Sequence, residues 1–365
     1  MESTRRFGFG IELDTFKVRK LRIGYQPLSP DLSQPGDRRR VAFWAKLRGH
    51  EIVTDLTQKT DVILLSEKAN LNAFSKKKVG TPVIFDLVDA YLAPENSTKD
   101  WLRGVSKVLT GQISGPPKRF TEFVENLCLQ SSAVICSSPE QKETIIPFSN
   151  NVHVILDSHD ELPMVPFSKD NQRSLQSILW EGMPATIRGV AQIERAVTSM
   201  RKQRNIELAF VTDEKYFLLL NKYIQRDTAA LLSSILKSAS SSSKIVPWSI
   251  GNLVEQASVS NVAVIPIDLS KPIQYLKPEN RLLIMWRLGL PCLTSPSPAY
   301  LRVAEKAKAN SICSSPIEWQ SKIAEILENR DCAEENATLG QAYLRDFHNT
   351  EILLERWDRA FESVL

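Results

Sequence analysis

Short apolar blocks separated by polar turns run along the whole chain, and their lengths alternate between those of strands and those of helices. Residues 20–26 (KLRIGYQ) read as a strand, followed by the loop PLSPDLSQPG. A helix over 38–48 comes next, started by Asp37 and closed by Gly49, with Val41, Ala42, Trp44, Ala45 and Leu47 on its apolar face. Segments 50–53 and 61–65 read as buried strands. So does 82–86 (PVIFD), which ends on Asp86 with Asp89 just beyond. Residues 93–119 are polar and interrupted by Gly and Pro, and read as a long binding or surface loop carrying Trp101 and Arg103. A helix over 120–130, the strand 133–136, a helix capped at Ser137 to Glu140 and the strand 152–156 complete this half.

The polar, two-proline segment 162–174 (LPMVPFSKDNQRS) is the best boundary, and after it the pattern restarts. Residues 178–181 (ILWE) form a strand and Gly182 a turn. A helix over 185–203 follows, with Ile187, Val190, Ile193, Val197 and Met200 three and four apart. The remaining pattern predicts a strand over 207–212, a long helix over 216–237, a serine-rich surface loop over 238–243, and a strand over 245–248. A short helix over 252–256 and a buried strand over 262–267 come next. The stretch 271–300 then packs a loop, a helix over 281–288 stopped by Gly289, and a strand opened by Pro291. In the last helix Leu353, Trp357 and Phe361 repeat every four residues. Strands alternating with helices in both halves predict an α/β protein of two doubly wound, Rossmann-like domains facing each other across a cleft. The boundaries are 1–165, 166–345 and a C-terminal helix over 346–365 that packs back on the first domain.

Composition narrows the classes. With 42% hydrophobic and 24% charged residues the 365-residue chain is globular and long enough for two cores. Its 46 basic residues nearly balance 42 acidic ones, which argues against a nucleic-acid partner. The runs Arg38-Arg39-Arg40 and Lys76-Lys77-Lys78 read as solvated faces, with weak peripheral contact to an anionic membrane surface as the other reading. Five cysteines without a CxxC pair read as buried thiols in a reducing compartment. With no secretory signal or long apolar run, the expected location is cytoplasmic. There is no DxD and no His or Cys spacing that suggests a metal; His159, flanked by Asp157 and Asp160, reads as a catalytic group or a hydrogen-bonded loop residue.

The candidate chemistry lies at strand ends and one helix start. Lys277, Asn280 and Arg281 precede or open the helix over 281–288, where unpaired N–H groups and the dipole favour an anion. A basic cluster there reads as a phosphate seat or as an ordinary capped helix. Gly36 sits where the first strand-loop-helix unit faces the cleft. Asp86 and Asp89 either meet an acceptor hydroxyl or cap a turn. Trp248 ends a strand, where simple core packing would account for it.

In this element order, and in the texts EGMPATIRGV and KPENRLLIMWRLGLPCLTS, the chain resembles the GT-B glycosyltransferases, in particular the retaining family 4, glycosyl transferases group 1. The resemblance implies sugar transfer from a nucleotide-sugar donor, UDP- or GDP-linked, to a glycan or lipid-linked acceptor. It further implies retention and no metal or other cofactor. Gly182 matches the family's first Gly, and Arg188-Gly189 match its Lys-Gly, so Arg188 inherits neutralisation of the donor diphosphate. The helix start at Asn280, Arg281 and Leu282 would look at the phosphates, with Lys277 adding charge and Trp248 on the base side. Asp89 joins Arg188 and Lys277 as catalytic candidates, Gly36 joins the donor side, and Asp86 and Arg103 belong to the acceptor side. The family's Arg is Met183 here, and its ribose-binding Glu falls on Ile284. Two readings therefore stand open: an active transferase, and a GT-B-shaped binding or scaffold protein without turnover. A sugar-nucleotide epimerase is a third.

Overall fold

Two parallel sheets, each with helices on both faces, carry the chain in a computed structural model that describes residues 19–70, 80–93, 97–168, 175–218, 224–237 and 243–365. In the first half the order is β1 (Arg22–Gln26), α1 (Pro35–Arg38), α2 (Val41–Arg48), β2 (Glu51–Val53), β3 (Val62–Ser66), β4 (Val83–Leu87), α3 (Ser97–Leu109), α4 (Phe120–Gln130), β5 (Ala133–Cys136), α5 (Pro139–Ile145) and β6 (Val152–Val154). These strands pair in the order β2-β1-β3-β4-β5-β6, all parallel. Strands β3 and β5 are buried at every position, as expected of a sheet covered on both faces.

The second half begins with β7 (Gln176–Glu181), a 3-10 helix (Pro184–Gln192), α6 (Glu194–Met200) and β8 (Ile206–Thr212). A hairpin of β9 (Lys215–Leu218) and β10 (Ile224–Asp227), then α7 (Thr228–Ile235), β11 (Ser243–Pro247), α8 (Ile250–Val259) and β12 (Val262–Ile265) follow. The chain closes with α9 (Pro272–Tyr275), α10 (Asn280–Arg287), β13 (Cys292–Thr294), α11 (Pro298–Ala307), α12 (Pro316–Glu328), α13 (Arg330–Phe347) and α14 (Thr350–Glu362). The sheet runs β11-β8-β7-β12-β13, again parallel. Helix α14 returns to the first sheet: Leu354, Trp357 and Phe361 share a core with Ile23, Val41, Trp44 and Leu64, and Trp44 Nε1 donates to Asp358 at 2.7 Å. The expected fold class therefore holds, including the return of the last helix.

Several local expectations change. Residues 97–109 form a helix rather than a loop: Gly104, whose Cβ would lie 1.8 Å from the Lys118 carbonyl oxygen, lets α3 press on the chain that follows, and buried Asp100 accepts Thr121 N–H at 3.1 Å. The glycine read as a breaker is a point of close approach. The helix expected over 185–203 is a 3-10 helix followed by α6. Gly189 abuts the carbonyl of Pro266, where a Cβ would lie 2.1 Å away. The long helix over 216–237 is instead a hairpin and a short helix. Tyr216 and Phe217 favour a strand, and Asp227 caps α7 by accepting the N–H groups of Ala229 and Ala230 at 2.8 and 3.1 Å. Residues 169–174 of the expected boundary, Lys76 to Lys78 and 238–242 of the serine run lie outside the described residues.

The basic run 38–40 is not a solvated face. Arg40 is fully buried; its Nε and Nη2 donate to Asp86 at 2.8 and 2.6 Å and its Nη1 to Asp157 at 3.0 Å. Arg39 is 8% exposed and shares Glu161 with Arg38. Asp37 does not cap a helix. It is buried inside α1 and accepts from Tyr25 Oη, Leu28 N and Ser29 N at 2.6, 2.8 and 2.9 Å, which fixes the loop after β1. Among the described residues no helix is long and apolar enough to cross a membrane, and the five cysteines are free, four of them buried.

Candidate functional site

A cavity of about 590 Å³ opens where the carboxyl ends of β1, β4 and β6 face those of β7, β8 and β11. From the first domain it receives Gln34, Pro35, Arg38, Arg39, Asp89 and Asp157. The second domain adds Glu181, Gly182 and Met183 after β7, Asp213 after β8, Trp248 after β11, and Lys277, Asn280, Arg281 and Ile284 from the approach and first turn of α10.

Arg281 is anchored at the end of β7. Its Nη1 donates to the Glu181 carbonyl oxygen at 3.0 Å, and its guanidinium lies 5.9 Å from the Trp180 ring centroid. This crossing requires Gly182: at φ +156 a Cβ would lie 2.9 Å from Arg281 Nη1 and 3.0 Å from the Trp180 ring. Leu282 supplies the first-turn backbone while its side chain is buried in the second core, beside Leu283 and Trp286. Lys277 reaches across the cleft, its Nζ 3.5 Å from Asp89 Oδ1, with both side chains 35% exposed.

The other side of the cleft is acidic and aromatic. Trp248 Nε1 donates to Glu181 Oε1 at 3.0 Å, and the Arg38 guanidinium of the first domain lies 5.8 Å from the Trp248 ring centroid. Glu161 holds Arg38 in place through Nε at 2.7 Å and Nη2 at 3.1 Å. Burial alone would raise the Glu161 carboxyl, but the bonds from Arg38 and Arg39 outweigh it and keep it below the ordinary range. Two buried oxygens in this lining have no protein partner among the described residues, Glu181 Oε2 and Asn280 Oδ1. Orphaned buried acceptors beside a cavity are the groups a polar ligand would satisfy.

Burial pushes the Glu181 carboxyl up, with Arg281 and the Trp248 bond partly offsetting it. The sign follows directly: a carboxyl whose folded value lies above its unfolded value costs stability above the folded value and costs none below the unfolded one. Glu181→Gln, which keeps an acceptor for Trp248, is therefore expected to raise the melting temperature at pH 8 and leave it unchanged at pH 4. Equal shifts at both pH values would show that charge burial is not the cause.

The sequence-named residues separate into three groups. Lys277, Asp89, Gly182, Trp248, Asn280 and Arg281 meet in this cavity. Gly36 lies inside α1 just behind the lining, pressed against Leu28, whose Cδ1 would be 2.3 Å from a Cβ. Three others stand apart from the lining. Arg188 is exposed on the 3-10 helix. Arg103 lies 5.4 Å from the Tyr91 ring and 6.0 Å from the Phe120 ring. Asp86, 2% exposed, is engaged by Arg40. Sequence reasoning passed over Arg38, Arg39 and Glu181. The two arginines sit in a run that composition assigns to solvent, and a Glu ending an apolar strand before a Gly was the only signal for the third. Met183 is 65% exposed at the rim and Ile284 is buried in the lining. Among the described residues no three His, Cys, Asp or Glu side chains form a group able to hold a metal ion.

A scan of protein-family models and a search of curated proteins return no match. Solved structures do match. Anabaena HepE in complex with UDP and glucose aligns with TM-score 0.63 at 11% identity, over 94% of this chain and 99% of that one. WaaG, a glycosyltransferase involved in lipopolysaccharide biosynthesis, aligns with TM-score 0.58 at 12% identity over the same shares, 94% and 99%. TarM aligns with TM-score 0.59 at 10% identity over 82% of this chain, which spans 54% of TarM's length. Two parallel-sheet domains with a cleft between them, matched at this level to several glycosyltransferases, give the chain the GT-B glycosyltransferase fold.

Proposed function

We propose that the protein is a glycosyltransferase that moves a sugar from a nucleoside diphosphate donor to a glycan or lipid-linked acceptor, with retention and without a metal. The observation that carries this reading is the start of α10, where Arg281 is pinned over the end of β7 and Lys277 approaches from the preceding loop, both lining the interdomain cavity. When the bond between the sugar's anomeric carbon and the diphosphate oxygen breaks, negative charge grows on that oxygen. A guanidinium, an ammonium and the first-turn N–H groups near Leu282 are suited to receive it. Trp248 and Glu181 would flank the nucleoside, and Ile284 leaves the Glu position of the resembled family apolar. On the acceptor side Asp86 is occupied by Arg40, so Asp89 is the carboxylate left to bind the attacking hydroxyl. Its pairing with Lys277 gives a sequence of events. An arriving diphosphate draws the ammonium away and frees Asp89 for the hydroxyl, whose oxygen forms the new glycosidic bond while its proton passes to Asp89 or to the departing phosphate. The free cysteines support a reducing, cytoplasmic location.

The test is a panel of UDP, GDP and their sugars screened for thermal stabilisation, followed by an assay for released nucleoside diphosphate. At a ligand concentration of about 100 Kd the expected stabilisation is about 2.7 kcal/mol. Absence of binding to every nucleotide overturns the reading. Binding without release on any acceptor favours the scaffold alternative, which Ile284 and Met183 motivate.

A further inference from the structure

A second cavity, of about 420 Å³, adjoins the neighbouring face of α10 and is shared by the two domains. Pro139, Val154, Leu156 and Leu283 make an apolar wall, and three cations, Arg302, Lys306 and Arg356, face it. Two of the three are engaged. Arg302 donates to Glu140 of the first domain at 2.7 Å and to Glu279 at 3.1 Å, while Lys306 Nζ stands 3.5 Å over the Phe347 ring at the rim. Arg356 is different. It is half-buried on α14, and among the described residues its guanidinium has neither a hydrogen-bond acceptor nor an ion-pair partner. Desolvation lowers its pKa, with Glu279 and Tyr343 opposing only from a distance. His348, also in the lining, adds no charge at neutral pH, because burial pushes it down to about 3. The acids near the cavity, Glu140 and Glu279, are both held by Arg302, so the net charge it presents is positive.

A guanidinium half withdrawn from water, with no protein acceptor on its buried side, costs free energy that a bound anion would recover. We propose that this cavity binds a small organic anion, an oxyanion joined to an apolar body, with Arg356 as its main charged contact and Val154, Leu156 and Leu283 receiving the apolar part. The volume is that of a small-molecule site. Such a ligand touches both domains and the helix that also lines the donor cleft, through Glu279 and Leu283 on one side and Asn280, Arg281 and Ile284 on the other. It is therefore placed to act as an effector of domain arrangement rather than as a substrate.

Titration calorimetry of the full chain with phenyl phosphate tests the site, with benzyl alcohol as the uncharged control. The expected result is binding by the wild type, at least about tenfold weaker binding by Arg356→Ala, and unchanged binding by Arg281→Ala. Without the anion, Arg356→Ala is expected to melt at or above the wild-type temperature, since it removes an uncompensated cation. The proposal is overturned by no binding to the wild type, by equal affinity in Arg356→Ala, by equal affinity for benzyl alcohol, or by loss of binding in Arg281→Ala, which would place the anion in the donor cleft. An Arg356→Ala chain that melts several degrees lower with undiminished affinity would make Arg356 structural and overturn it as well.

Discussion

Arg281→Ala is expected to lower kcat/KM for the nucleotide-sugar donor by roughly 10- to 100-fold while the melting temperature changes little. The size follows from the interaction removed: a hydrogen bond to a charged group contributes about 1.5–3 kcal/mol, and each 1.36 kcal/mol is a factor of ten in rate. The guanidinium is held ready, by the bond to the Glu181 carbonyl and the Trp180 ring, so little ordering has to occur when the diphosphate arrives. Arg281→Lys is expected to recover only part of the loss, because an ammonium cannot span the strand end and offer a second donor in the same plane. Gly182→Ala provides an independent check. Its methyl group would occupy space 2.9 Å from Nη1 and push the guanidinium out, so it should reproduce much of the Arg281→Ala defect without removing any charge. Unchanged kcat/KM in both variants would mean that the diphosphate does not sit at the start of α10.

How far this site was legible depends on the range over which each residue acts. The helix Asn280–Arg287 was readable because its signals are local: a basic start, an apolar run, and Gly289 at φ +74, where a Cβ would also strike the Val165 carbonyl oxygen at 2.6 Å. The last helix was readable for the same reason, since a repeat of Leu353, Trp357 and Phe361 must find an apolar partner, and Trp357 and Phe361, joined there by Leu354 rather than Leu353, find it in the core around Trp44. The run Arg38-Arg39-Arg40 was misread because its meaning is entirely non-local. Asp86 lies 46 residues from Arg40, Asp157 lies 117, and Glu161 lies 123 from Arg38. No periodicity or composition reports an ion pair of that separation. The same limit explains Gly104 and Gly189, which read as breakers or motif matches but serve close approaches to Lys118 and Pro266. Glu181 falls between these cases: its position at a strand end was visible, yet the free oxygen beside Trp248 is a property of the assembled cleft.

Arg40→Met should lower the unfolding free energy by about 3–5 kcal/mol, a large share of the 5–15 kcal/mol that holds a typical domain folded. The guanidinium is fully buried and joins the ends of β4 and β6 through Asp86, Asp157 and the Ile155 carbonyl oxygen at 2.8 Å, with the Trp357 ring 5.7 Å away. Removing it strands two carboxylates in the interior, which is the costly way to break a buried pair. Replacing all three charged groups, as in Arg40→Met with Asp86→Leu and Asp157→Asn, is expected to recover much of the loss, because no buried side chain is then left needing a counter-ion. Burial already raises the Asp86 carboxyl, and Arg40 is the group that pulls it back. Without Arg40 that value rises further, so the folded state of the variant takes up a proton more readily than the unfolded chain. The penalty is then full above the raised folded value and fades as pH falls toward the ordinary carboxyl range. Urea midpoints of wild type and Arg40→Met should therefore converge between pH 8 and pH 5. A gap that stays constant across that range, or a loss below about 1 kcal/mol at pH 8, would mean that Arg40 packs as an apolar stem rather than as the counter-ion joining the strand ends at the mouth of the cleft.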